Sequence, residues 1–154
     1  MKRQKNNKFI LILLIIIISF TITIVFYYFA YNNNLDIKKI SPNKVIKVID
    51  GDTFELSSGE IVRLICIDTP EKNEKNYEEA SNFLANLILN KEVRLEKDID
   101  NKDSYNRSLR YVYVNITENN STTEVFINRE IIKQGYGKLF PYGNNTKLCN
   151  EISF

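Results

Sequence analysis

The sequence predicts a small α+β domain, a compact barrel of short strands with helices packed on it, preceded by one membrane-spanning helix. Three observations lead there. Residues 9–30 are uncharged and almost wholly apolar. From residue 44 onward, runs rich in Val and Ile alternate with turn-forming residues. A single strong amphipathic helical stripe lies among them, with no sign of long parallel crossovers. At 154 residues, 44% hydrophobic and 26% charged, the chain has room for one domain plus an appendage.

The appendage comes first. Residues 1–8, MKRQKNNK, carry Lys2, Arg3, Lys5 and Lys8 and no acid. The stretch at 9–30 is long enough to cross a bilayer core at about 1.5 Å per residue. By the positive-inside rule the N-terminus stays in the cytoplasm and the rest lies outside. Phe26, Tyr27, Tyr28 and Phe29 fall at the far end, where an aromatic belt belongs. A cleaved signal peptide is the competing reading and would give a secreted product. Its apolar region is usually shorter, and Tyr28-Phe29-Ala30 is a poor small-x-small cleavage site. Residues 31–43, with Asn32-Asn33-Asn34, form a polar tether.

The domain then spans residues 44–154. Residues 44–56 and 61–68 are two β runs joined by Ser57-Ser58-Gly59-Glu60, a hairpin signal. Residues 77–91 place Ala80, Phe83, Leu84, Leu87 and Ile88 on one helical face, with Glu78, Glu79, Asn82 and Asn86 opposite. Residues 92–98 and 109–114 are two more strands around a polar loop, 100–107. A turn at 119–123 leads to a helix at 124–134, with Ile127, Ile131 and Ile132 inward and Gly135 at its C-terminal cap.

Composition excludes several chemistries. The chain has no histidine, which removes histidine triads, histidine general bases and histidine-containing zinc sites. The net charge is +2, but setting aside Lys2, Arg3, Lys5 and Lys8 leaves 17 basic residues of the 21 against 19 acids. Attraction to a polyanion must therefore be local or supplied by a cation. Cys66 sits in an apolar run and is expected to be a small core residue. With Cys149 as the only other cysteine, a bridge is the lesser expectation and the redox compartment is left open.

Three segments carry acids and arginines suited to a metal-and-phosphate site: Val48-Ile49-Asp50-Gly51-Asp52-Thr53-Phe54, Val62-Arg63-Leu64-Ile65-Cys66-Ile67-Asp68-Thr69-Pro70-Glu71, and Asp103-Ser104-Tyr105-Asn106-Arg107. Asp-Gly alone is a common turn pair, Arg63 alone an outward ion pair and Glu71 alone a surface acid. In this order and spacing the segments resemble the staphylococcal nuclease (thermonuclease) family, over roughly residues 44–146. The resemblance implies an OB-fold-like, five-stranded barrel with packed helices. It also implies Ca²⁺ held by Asp52, Asp68 and the backbone carbonyl of Thr69, with Asp50 close by, through the hard oxygen ligands that cation takes. Arg63 and Arg107 would clamp phosphate, Glu71 would be general base or water-positioning group, and Tyr105 would pack near the nucleotide. The implied activity is calcium-dependent hydrolysis of DNA and RNA phosphodiesters, leaving 3′-phosphate ends, by a monomer.

Two departures are visible. Ser104 stands where the family usually has a basic residue, and Asn106 replaces a usual Gly, a tolerable change in a left-handed position. The family also continues into a long C-terminal helix, most of which has no counterpart in this sequence, so a marginally held domain is expected. Two alternatives follow: an OB-like module that holds single-stranded nucleic acid without cutting it, and an inactive remnant.

Overall fold

The computed structural model describes residues 2–35 and 41–153; residues 36–40 of the expected tether lie outside them. The chain divides into two compact units, Met1–Ile40 and Ser41–Phe154. The first contains a single helix, α1 (Lys2–Leu35), whose Phe9–Tyr31 stretch is long and apolar enough to cross a membrane. Its two threonines do not interrupt it, because Thr21 and Thr23 donate their hydroxyls back to the carbonyls of Ile18 and Phe20, each at 2.8 Å.

The second unit runs β1 (Val45–Val48), β2 (Thr53–Leu56), β3 (Ile61–Leu64), β4 (Ile67–Asp68), α2 (Tyr77–Ile88), β5 (Val93–Glu96), β6 (Ser108–Glu118), β7 (Ser121–Phe126), α3 (Ile127–Lys133), β8 (Lys138–Leu139) and α4 (Cys149–Ile152). The main sheet has the order β1-β2-β3-β6-β5, with β7 added to β6, and a two-stranded ribbon pairs β4 with β8. A bridge between Lys44 and Glu92 brings the two ends of the five-strand path together at one point. The sheet's inner face and the helices enclose a core in which Phe54, Leu64, Leu84, Ile88, Tyr111 and Ile131 are fully or almost fully buried.

Several expectations hold and several need correction. Helix α2 buries Ala80, Leu84 and Ile88 from the predicted stripe but ends at Ile88 rather than residue 91, because Leu89 is extended and Asn90 is left-handed at φ 63°. Gly135 caps α3 at φ 77°, with its N–H and that of Tyr136 donated to Ile132 and Ile131. The expected strand 61–68 is instead broken, because Cys66 adopts φ 62° and turns the chain out of the sheet. The expected turn at 119–123 shrinks to Asn119-Asn120, both at positive φ. Alternating residues 121–126 then pair with β6 as β7, so α3 begins at Ile127 rather than residue 124. One parallel pairing does occur, between β3 and β6, with β4, α2 and β5 crossing between them.

The cysteines require the largest correction. Cys66 and Cys149 form a disulfide, with Cα atoms 5.7 Å apart. Both are buried, so the core reading of Cys66 stands while the expectation against a bridge does not. The left-handed turn at Cys66 faces α4, a contact across 83 residues that no local pattern encodes.

One buried polar side chain ties these pieces together. Asn128, on α3 and fully buried, accepts the Val112 N–H at 2.9 Å and donates to the Ile65 carbonyl at 2.9 Å. It thereby joins β6 to the turn before β4. Asn128→Ala strands both backbone groups and should cost about 3 kcal/mol, read as a lower urea midpoint at unchanged slope.

Candidate active site

The β1–β2 turn presents two of the acids. The Asp50 carboxylate accepts the Asp52 N–H at 3.0 Å, an Asx-type closure that fixes the turn. Gly51 is required by space, since a Cβ there would sit 2.7 Å from Thr69 Oγ1 and 2.8 Å from the Ala80 Cβ. Asp52 then points inward, 3% exposed. Its Oδ1 takes the Arg63 guanidinium and the Thr53 hydroxyl, the latter at 2.9 Å. Its Oδ2 takes the Thr69 N–H at 3.1 Å and the Thr69 hydroxyl at 3.0 Å.

Arg63, in the middle of β3, therefore does not point outward to a solvated partner. Its second nitrogen lies 3.6 Å from Asp68 Oδ1, and Asp68 Oδ2 lies 3.0 Å from Lys138 Nζ across the β4–β8 ribbon. Asp52 and Asp68 do not sit on paired strands. They meet through Thr69, the residue after Asp68, and through the shared arginine.

Arg107 comes from a loop built around Asp103. Asp103 Oδ1 accepts the N–H groups of Tyr105 and Arg107 at 3.0 and 2.9 Å, and Oδ2 accepts Arg107 Nε at 2.7 Å. Asn106 is left-handed, φ 65°, as expected for a residue standing where glycine is usual. The Tyr105 ring is 80% exposed, with the Arg107 guanidinium 5.2 Å from its centre. Behind the loop, buried Asn145 accepts the Asp100 N–H at 2.7 Å and donates to the Asp100 carbonyl at 2.9 Å. Arg63, Arg107, Tyr105 and Ser104 line one cavity of about 520 Å³, together with Phe140 and Tyr142.

The electrostatics fit a concentrated site. Burial pushes the Asp50 carboxyl up, against the pull of the Arg63 and Arg107 charges. Burial and then the Arg107 charge pull Arg63 below its ordinary range, opposed by Asp50, Asp68 and Glu71. Burial alone would raise Asp103, but hydrogen bonds from the Arg107 backbone and guanidinium outweigh it and leave that carboxyl below its usual range. The two guanidinium charges thus act on one another, and both act on Asp50.

Glu71 is placed apart. It is exposed, its N–H is donated to Glu74 Oε2 at 2.8 Å, and it lines a second cavity of about 320 Å³ together with Asp68 and Thr69. Among the described residues no three acids gather into a ready metal cluster. The donors are nevertheless of the right kind for a hard cation: the carboxylates of Asp52 and Asp68 and the backbone oxygen of Thr69, with Asp50 adjacent. In this structure Arg63 and Lys138 satisfy those carboxylates.

Several participants escaped the sequence reading. Lys138 and Asn145 act through partners distant in sequence, which no short motif reveals. Phe140 and Tyr142, whose rings stack 6.2 Å apart, had a visible signal: two aromatics around a proline beside a Gly-Asn-Asn turn.

A small α+β sheet domain with two arginines on one cavity wall, one of them paired to a buried aspartate, presents planar guanidinium groups of the kind that suit an oxyanion. The match to known proteins narrows this further. Residues 61–153 fit the family model described as staphylococcal nuclease homologue, and the chain belongs to that family. It is 36% identical over 118 residues to a thermonuclease of Staphylococcus hyicus, covering 71% of this chain and 65% of the relative. It is 38% identical over 112 residues to a thermonuclease of Staphylococcus intermedius, 67% and 62% of the two lengths. Similarity to endonuclease YncB of Bacillus subtilis is 30% over 126 residues, 75% of this chain and 56% of that protein.

Proposed function

We propose that this chain is a calcium-dependent endonuclease that hydrolyses phosphodiester bonds in DNA and RNA and leaves 3′-phosphate ends. The observation that supports it most is the placement of Arg63 and Arg107 on the wall of one cavity, beside buried Asp52. Asp52, Asp68 and the Thr69 carbonyl would hold Ca²⁺, with Asp50 alongside. Bound there, the ion would supply positive charge to the phosphate. The planar forks of Arg63 and Arg107 bind the remaining phosphate oxygens and stabilise the charge that builds on them in the transition state. Glu71 orients the attacking water and accepts its proton. The new P–O bond forms in line as the bond to the 5′ oxygen breaks, and that oxygen takes a proton from solvent. Tyr105 flanks the nucleotide at the cavity rim.

The same proposal places the domain outside the cell, anchored as a monomer through α1 with its basic N-terminus in the cytoplasm. The Cys66–Cys149 disulfide supports that side, since such bonds persist in oxidising compartments. Secretion after signal cleavage is the alternative placement, and fractionation of a C-terminally tagged chain separates the two.

The activity test uses the whole chain purified in detergent and an end-labelled single-stranded DNA. Cutting is expected with Ca²⁺ and none with EGTA. Cutting that persists in EGTA contradicts the calcium mechanism, and retention of the DNA uncut with Ca²⁺ supports the binding-module alternative.

A further inference from the structure

The β4–β8 ribbon separates two cavities. Its register is Ile67 opposite Leu139 and Asp68 opposite Lys138. The larger cavity is walled by the chain before and after that register on one side, residues 64–67 with Phe140, Tyr142 and Gly143. The smaller one is walled by the continuation of the same two segments on the other side, residues 68–71 and 135–138, together with Glu74 and Asn76. The Arg63–Asp68 pair stands at the boundary, Arg63 lining the larger cavity and Asp68 the smaller. The ribbon is two residues long, roughly 7 Å at the usual strand rise.

A phosphodiester, unlike a phosphate monoester, carries a nucleoside on each side. Building on the phosphate reading given under Proposed function, we infer that the smaller cavity is a second nucleoside subsite. It receives the base and sugar across the phosphate from the nucleoside seated in the larger cavity. Its volume of about 320 Å³ suits one nucleoside rather than a longer segment. Beyond Asp68, Thr69 and Glu71, which serve the cation and the attacking water, its lining suits base and sugar: Glu74 and Asn76 offer hydrogen-bond acceptors, and Lys138, paired with Asp68, stands at the ribbon end. Tyr136 provides the aromatic surface. It lines the cavity and is half-buried, with its ring backed by Phe83 at a 4.5 Å centroid distance and 23° between planes. A ring held from behind is a rigid stacking platform.

Tyr136 is thereby assigned as a substrate-binding residue, and the chain grips an unpaired strand on both sides of the phosphate. The test is isothermal titration of the whole chain in EGTA, which keeps the probe intact. The probes are thymidylyl-thymidine and its two analogues in which one or the other nucleoside is abasic. Wild type should bind each analogue about tenfold more weakly than the intact probe. Tyr136→Leu, which keeps an apolar contact with Phe83, should lose about tenfold on the intact probe and on one analogue, and nothing on the other. Asn76→Gly, which removes the side chain and keeps the left-handed φ of 68°, should show the same one-sided pattern. An undiminished affinity in both variants, an equal loss on all three probes, or no measurable binding by wild type overturns the subsite. Failure of the nuclease reading is separate: wild type would leave a longer DNA uncut with Ca²⁺ while the one-sided binding pattern remained.

Discussion

Replacing Arg107 with alanine is expected to lower turnover on DNA by about 10²–10³-fold, the usual loss when one preorganised donor to a developing anion is removed. Its thermal unfolding should change little. Arg107 makes one ion pair, to Asp103 four residues earlier, with its own side chain 29% exposed; pairs of this kind contribute no more than about 1 kcal/mol. The Asp103 carboxylate would keep its bond from the Tyr105 N–H, so the loop would hold its shape. Arg63→Ala would not separate function from folding so cleanly. It would leave the Asp52 charge buried without its guanidinium, a change that costs roughly 3–5 kcal/mol. Steady-state kinetics beside a melting curve checks the prediction, and near wild-type turnover in Arg107→Ala would remove that residue from the mechanism.

The second large effect is on stability. The Cys66–Cys149 bond closes a loop with a sequence separation of 83, for which chain entropy gives about 4–5 kcal/mol of stabilisation. Reduction, or Cys149→Ser, should therefore lower the melting midpoint by at least about 15 °C for a domain of this size. The loss should reach the active site. Released from Cys66, the segment around α4 no longer anchors Asn145, which holds Asp100 at the start of the Arg107 loop. Activity should fall with added reductant in wild type and be insensitive to reductant in Cys149→Ser. A melting shift of only a degree or two would show that burial of Cys149 and Ile152, rather than the covalent bond, holds the C-terminal segment in place.

How far the fold could be read ahead of the structure depended on the range of each interaction. Helix α2 was legible because the residues that bury it recur within one stripe, and the β2–β3 hairpin because Ser-Ser-Gly-Glu sits between its strands. Asp52, Asp68, Arg63 and Arg107 were nameable because fixed motifs surround them, and the left-handed Asn106 because few side chains tolerate that conformation. The break at Cys66 was not legible, since an apolar run of β-branched residues continues through it. Nor was β7: Thr122 and Thr123 serve equally well in a turn or a strand, and only pairing with the long β6 decides. Arg63 illustrates the limit best. Its position inside an apolar strand was plain, but its direction depends on Asp52 and Asp68, which reach it through separate turns.

The central claim is that Arg63 and Arg107 act on one phosphate. A double-mutant cycle with Arg63→Lys and Arg107→Lys tests it most directly, because lysine keeps each charge beside its carboxylate while removing the planar fork. If both forks grip the same phosphorus centre, kcat/KM should fall steeply in each single variant, and the double variant should fall well short of the product of the two losses. Losses that simply multiply, or a single variant that loses nothing, would mean that the two arginines serve different groups and that the single-phosphate site does not exist.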